Sequence, residues 1–351
     1  MKGHGCTVLV LAGLLLLPLS LDANPVIVNW VAYSPSEPWQ PGQVIDDSLV
    51  RLDLEILARH GFQGLVTYGT LDSLWVVPRL ARSVGFQYVV MGVWIDADTA
   101  ANRQGIRRLI EHHQYADAIC VGNEALFFNR VDTSYLKWAI DTVRAATGKP
   151  VTTSEHWTKY LAPGYAAWLQ RNSDFLFPIV NPTDNGITHP DSGVAWVIRT
   201  YERITAAAGD SMEVLIKEAG WPTWSDSAQQ RVWANEDNQC HFFQRLSFWQ
   251  RDTMKYFCFE AFDQWWKNWD PTQRYWGLFD SGRRPKLYAY TLGVKESGSS
   301  MGQTSTGALL RFSQNDLYDI TGSRRSAQLV RPGVYFLKLA SGRFRKVLVV
   351  R

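Results

Sequence analysis

Eight short apolar runs recur along this chain, with intervening stretches in which apolar residues return at helical spacing. The runs are 26–31, 63–68, 87–93, 117–122, 150–153, 174–180, 213–218 and 255–262. Between them lie 47–60, 71–84, 98–114, 132–146, 158–171, 191–208 and 226–250. In 47–60, for example, Val50, Leu54 and Leu57 fall on one face, with Arg51, Glu55 and Arg59 elsewhere. Strands that alternate with helices pair in parallel, and a parallel sheet must be covered on both faces or close on itself. No glycine-rich phosphate loop follows the first run, and the runs number eight. The pattern predicts an α/β fold, a (β/α)8 TIM barrel, over a doubly wound sheet.

The barrel pattern stops near Val294. Residues 295–307 are polar and rich in Gly and Ser, the composition of a linker. Residues 308–351 carry β-like runs at 316–320, 333–340 and 344–350, which predicts a small C-terminal β-rich module. Within it Arg324-Arg325 reads as a solvated turn. At the other end, Lys2, the apolar stretch Thr7 to Leu21 and the small-residue site at Ala23 read as a signal peptide over 1–23. The barrel domain would then be 24–294, and the protein is expected to be secreted or on the cell surface. The apolar stretch is short for a membrane span.

Cys6 lies inside that leader, leaving Cys120, Cys240 and Cys258. An odd number without metal-like spacing argues against a disulfide framework. Three buried free thiols are expected, with a single Cys240–Cys258 bridge as the alternative. A dispersed net charge of +3 gives no basis for nucleic-acid binding. His112, His113 and His156 have no partners at converging ligand spacings, so no metal site is expected.

In barrels of this kind chemistry sits at the C-terminal ends of the strands. Tyr33 and Tyr68 end the first two runs and Trp94 the third; Glu124 follows the fourth, Glu218 ends the seventh, and Glu260 with Asp263 ends the eighth. The fourth and seventh strands face each other across the barrel mouth, which brings Glu124 and Glu218 together. Opposed carboxylates are what cleavage of a glycosidic bond requires, one to protonate the leaving oxygen and one to act at the anomeric carbon. The chain also holds 16 Trp. Flat apolar rings stack on the C–H faces of sugars, and Trp265, Trp266, Trp269 and Trp276 are expected to form aromatic subsite walls.

These residues carry a resemblance. Val121-Gly-Asn-Glu-Ala-Leu126, Lys217-Glu-Ala-Gly-Trp-Pro-Thr223, Phe259-Glu-Ala-Phe-Asp263 with Lys267, and Trp276-Gly-Leu-Phe-Asp280 resemble the bacterial and fungal branch of glycoside hydrolase family 17. That family comprises β-1,3-glucanases and β-1,3-glucanosyltransferases. The resemblance runs from about Asn29 to Lys286, through Thr67-Tyr68-Gly69 and Gly92-Val93-Trp94-Ile95. It implies a retaining hydrolase with Glu124 as acid/base and Glu218 as nucleophile. It further implies that Asn123 hydrogen-bonds the 2-hydroxyl of the reacting sugar and that Glu260 and Lys267 line the site. Tyr33, Tyr68, Trp94, Trp221 and Trp276 are carried as further substrate-binding candidates.

The expected substrate is a β-1,3-glucan, cleaved by a monomer without any cofactor. Transfer of the glycosyl unit to another sugar is the alternative outcome at the same site. A catalytically silent carbohydrate-binding barrel, or a barrel for another β-linked glucan, are the competing readings. The chain departs from the family where a His or Tyr with Pro is common after the sixth strand, having Pro178-Ile-Val-Asn-Pro-Thr183 instead. Gln264 and Gln273 also stand where acidic residues are frequent. The tail, through Leu317-Tyr-Asp-Ile-Thr-Gly322 and Pro332-Gly-Val-Tyr-Phe-Leu-Lys-Leu339, resembles a type IX secretion sorting domain. Export machinery is therefore the second expected partner.

Overall fold

The computed structural model describes residues 29–210, 212–247 and 254–293, and the backbone of four strands between 317 and 349. The predicted signal peptide and linker lie outside the described residues. The chain divides into two units, Met1–Lys295 and Glu296–Arg351.

In the first unit the strands are β1 (Trp30–Ala32), β2 (Gly64–Val66), β3 (Tyr88–Val93), β4 (Ala118–Asn123), β5 (Val151–Ser154), β6 (Leu215–Gly220) and β7 (Lys255–Phe259). They form one parallel sheet in the order β5-β4-β3-β2-β1-β7-β6. The predicted run 174–180 makes no regular ladder, which corrects the expected count of eight strands to seven. Pro178 has no N–H to give to a neighbouring strand. The run nonetheless joins the two edges of the sheet through isolated parallel bridges, His156 to Ile179 on one side and Leu176 to Val214 and Ile179 to Glu218 on the other. Backbone bonds from Ile179 N to Glu155 O at 3.0 Å and from Val180 N to Glu218 O at 2.8 Å complete the closure.

Between the strands run α1 (Asp47–Arg59), α2 (Val77–Val84), α3 (Thr99–His112), α4 (Thr133–Thr147), α5 (Trp157–Leu161), α6 (Pro163–Asn172), α7 (Pro190–Ala208), α8 (Glu236–Ser247) and α9 (Leu287–Leu292). Aspartates start three of them. Asp46 accepts from Ser48 N, Asp98 from Ala100 N and Ala101 N, and Asp132 from Tyr135 N, satisfying amides that a helix leaves unpaired. The stretch predicted as one helix over 158–171 is two, because Pro163 cannot continue a helix from Ala162 and instead begins the next.

Packing follows strand alternation. Val31, Leu65, Val89 and Ile216 pack outward with the buried Val50, Leu54 and Leu57 of α1 in one core cluster. Each such side chain contributes about 1.5–3 kcal/mol by leaving water. Ala32, Val66, Val90, Ala118, Cys120, Leu215, Phe257 and Phe259 instead point into the barrel, where they meet Phe175, Phe177 and Trp276. Cys120, Cys240 and Cys258 are all buried and none is joined in a disulfide, as expected.

The second unit is an antiparallel sheet of β8 (Leu317–Asp319), β9 (Arg324–Arg325), β10 (Gly333–Lys338) and β11 (Phe344–Val349), ordered β11-β10-β8-β9. Arg324-Arg325, read as a turn, pair with Leu317 and Tyr318 as a short strand. Two residues are too few to leave a period-2 signature in the sequence.

Candidate active site

Two irregularities in the sheet bring the polar side chains together. The register of β4 on β5 shifts between Cys120 and Asn123, where Gly122 adopts φ +84°. A side chain pays a steric penalty at that angle, and a Cβ there would sit 3.3 Å from Leu136 Cδ1. The register of β6 on β7 shifts between Ile216 and Ala219. In a regular strand Lys217 and Glu218 would point to opposite faces. Here Ile216 and Ala219 both face the helices, and Lys217 and Glu218 face the same interior. Gly220 follows because a Cβ there would lie 2.3 Å from Phe259 O.

Glu218 is nearly enclosed. Tyr68 Oη donates to its Oε1 at 2.9 Å, and Lys217 Nζ stands 3.6 Å from the same oxygen. Lys217 Nζ also lies 4.1 Å from the centre of the Tyr68 ring and donates to Asn123 Oδ1. Burial, and then the Glu218 charge, raise the Tyr68 phenol well above its ordinary value, so it is a donor at any working pH.

Glu124 follows β4 at φ +54°, a backbone conformation that few side-chain-bearing residues adopt. Its N–H donates to Ser154 O at 2.7 Å, and its C=O accepts from Phe128 N at 3.1 Å. The next two residues are held from below, since the buried Glu155 carboxylate accepts from Leu126 N and Phe127 N, both at 2.9 Å. Burial pushes the Glu124 carboxyl up to about 8; the Glu218 charge adds to this and Lys217 opposes it. Desolvation likewise brings Glu155 up to about 7, against the pull of the two amides.

Glu260, fully buried beyond β7, accepts on both carboxylate oxygens from Lys267 Nζ, at 2.7 and 2.8 Å. Burial raises it to about 7, with Lys267 pulling down and Glu218 pushing up. Asp263 accepts from Lys286 Nζ at 2.6 Å and from Gly277 N at 3.0 Å, fastening the strand-end loop. Asp184 lies in the exposed turn Thr183–Asn185, close enough to feel the Glu218 charge. The structure therefore brings Asn123, Glu124, Glu218, Tyr68, Glu260 and Lys267 into one polar cluster. Lys217 joins them, Glu155 holds the Glu124 turn from below and Asp184 lies near enough to feel the Glu218 charge, none of the three having been singled out from sequence. Of the three, only Lys217 lay inside a quoted motif.

Other candidates sit elsewhere. Tyr33 is buried and donates to Asp53 Oδ2 at 2.9 Å, within a network that includes Ser36 and Arg283. Trp221 is wholly buried against Phe242 and Trp233, donating from Nε1 to Trp233 O. Trp276 is wholly buried on Phe259, and its Nε1 has no protein partner among the described residues. Trp94 alone of these is open, 38% exposed beneath the Arg130 guanidinium, which also covers Phe128. Trp265 and Trp269 are exposed as well. Gln264 is a buried hub, its amide donating to Pro35 O and Phe262 O and its oxygen accepting from Trp266 Nε1. An acidic residue there could not make those donations. Among the described residues no cluster of His, Cys, Asp and Glu is arranged to hold a metal. His112 stacks on Trp75, and His156 lies against Phe127.

The family model described as the BtgE/BtgC glycoside hydrolase domain matches residues 31–277. A putative glucan endo-1,3-beta-glucosidase, btgC of Aspergillus niger, is 28% identical over 236 residues, 56% of this chain and 33% of that protein. The chain thus spans about a third of the length of that curated relative. Among solved structures, the glycoside hydrolase family 17 beta-1,3-glucanosyltransferase from Rhizomucor miehei superposes with a TM-score of 0.64 at 19% identity, over 77% of this chain and 99% of that one. An endo-laminarinase from Formosa Hel1_33_131 gives 0.68 at 18% identity, over 80% and 92%. At these identities the structures establish a shared barrel fold.

Proposed function

This chain belongs to the BtgE/BtgC glycoside hydrolase domain family, and from that premise we propose that it is a glycosidase cleaving β-1,3-glucan with retention of configuration. Glu218 is the nucleophile and Glu124 the acid/base. The observation that carries this reading is the unequal treatment of the two carboxyls: Glu124 is held protonated to about pH 8, and Glu218 is surrounded by donors. The motifs shared with β-1,3-glucan enzymes support the substrate class.

In the first step a Glu218 oxygen forms a bond to the anomeric carbon as the bond from that carbon to the bridging oxygen breaks. Glu124 gives its proton to that oxygen, and the severed chain leaves as a neutral alcohol. The sugar is then esterified to Glu218. In the second step Glu124, now anionic, takes a proton from water, whose oxygen displaces Glu218 and restores the carboxylate. A sugar hydroxyl in place of that water gives transfer. The partly exposed rings of Trp94 and Phe128, bridged by Arg130, support a seated acceptor and with it this second outcome.

The decisive experiment follows the anomeric configuration of the first product from laminari-oligosaccharides by NMR. The β-anomer is expected, E218Q should lose on the order of 10⁴-fold in rate, and E124A supplied with azide should form a β-glycosyl azide. An α-anomer first, or an active E218Q, would overturn the reading. Laminarin, cellulose and mixed-linkage glucan as parallel substrates test the linkage.

The domain plan belongs to the same proposal: a leader over 1–23, a catalytic barrel over 24–294, a linker over 295–307 and a β-module over 308–351 used in sorting. It is supported by the apolar leader composition and by the four-stranded sheet of the second unit. Secretion and a monomeric state are tested by fractionating a tagged full-length protein and by its light scattering.

A further inference from the structure

Lys217 is only 1% exposed, and burying an ammonium is costly unless charge or dipoles surround it. Among the described residues the one carboxylate within 4 Å of its Nζ is Glu218. Its other contacts are Asn123 Oδ1 and the face of Tyr68. A lysine has three donors and no acceptor, so the Asn123 amide must turn its oxygen toward Lys217. That orientation leaves the Asn123 Nδ2 group as a donor for the cleft. The bulge in β6 is what lets lysine and nucleophile share one interior, so the pairing is built into the backbone.

On the reading of the site given above, we infer that Lys217 is a positioning residue for both catalytic steps: its fixed cation stabilises the Glu218 anion before attack, and its hydrogen bond aims the Asn123 amide at the 2-hydroxyl of the reacting sugar. The same cation acts again after attack. Once Glu218 is an ester its charge is gone, and Lys217 is left facing the cleft without its counter-ion. The nearby Glu124 is then drawn toward its anionic form, the form needed to deprotonate water. Lys217 already pulls Glu124 in that direction in the resting state.

The test compares K217M and K217Q with the wild type, each confirmed folded by its melting curve. In K217M, kcat/KM should fall roughly 10- to 100-fold, the scale of a lost charge-assisted hydrogen bond. Its pH profile should move to higher pH by about 1 unit on both limbs, as expected for removing an opposite charge within 4–6 Å. A packing role would lower the rate at every pH and leave the profile in place. K217Q keeps a neutral donor for Asn123 without the charge, so it should show the same pH displacement. It should also preserve the penalty for an aryl laminaribioside lacking the 2-hydroxyl, a penalty that K217M and N123A should lose. An unmoved profile in both variants, or a 2-deoxy penalty intact in K217M, would overturn the inference. Wild-type enzyme inert on every glucan would instead overturn the functional reading beneath it.

Discussion

Tyr68 Oη donates to Glu218 Oε1 at 2.9 Å, linking the ends of two strands 150 residues apart in sequence. The bond is charge-assisted when Glu218 is ionised, and it must be released or weakened as Glu218 becomes an ester. Y68F should therefore lower kcat/KM about 10- to 100-fold. Its melting temperature should stay within a few degrees of wild type, because the ring remains packed on the barrel interior. Steady-state kinetics and a thermal melt of the same preparation check both halves.

The pH profile should fall on its alkaline side as Glu124 loses its proton. With that carboxyl pushed up to about 8 by burial and by Glu218, the basic limb of kcat/KM is expected near pH 8. In E218Q the neighbouring charge is gone, so Glu124 should titrate lower. A pH–rate series on the wild type and a carbon-13 NMR titration of E218Q measure the two values.

The same group makes stability fall with pH. Glu124 titrates at about 8 when folded against an ordinary 4.5, so between those values the folded protein holds a proton that the unfolded chain releases. Its stability contribution is thus complete in acid and is lost as pH rises toward 8. E124Q should melt close to wild type at pH 4 and above it at pH 8, by on the order of 5 °C. Calorimetry across pH 4–9 tests this, and equal melting at both ends would exclude it.

Two tryptophans should respond in opposite ways. W94A removes an exposed ring at the rim and is expected to raise KM several-fold with the melting point unchanged. W221A empties a fully buried site between Phe242 and Trp233 and should cost about 3–5 kcal/mol of stability. Parallel melts and oligosaccharide titrations separate the two.

These contrasts mark how far the sequence could be read. The alternation of apolar runs with helical stretches located all seven strands of the parallel sheet, and the motif contexts of Glu124 and Glu218 placed both toward the C-terminal ends of strands. Trp221, inside the Lys217–Thr223 motif, is a substrate-binding candidate from sequence but a core residue in the structure. Ala219 faces the helices, and two residues further along a strand returns to the same side, so alternation alone would have turned Trp221 into the core. Lys217 could not be found that way. Its inward aim depends on the irregular register between Ile216 and Ala219, which leaves no periodic trace. Glu155 and the loss of a regular sixth strand over 174–180 depend likewise on backbone partners brought from other strands, which local spacing does not record.

The bulge in β6 has a last consequence. A strand counts its residues in twos, and here the count is off by one at the position that matters. Deleting Lys217 would restore an even rhythm, with Ile216 and Ala219 still toward the helices and Glu218 still turned inward, but with no ammonium beside it. The extra residue is therefore what seats a cation beside that carboxylate, an arithmetic exception the fold makes to its own alternation.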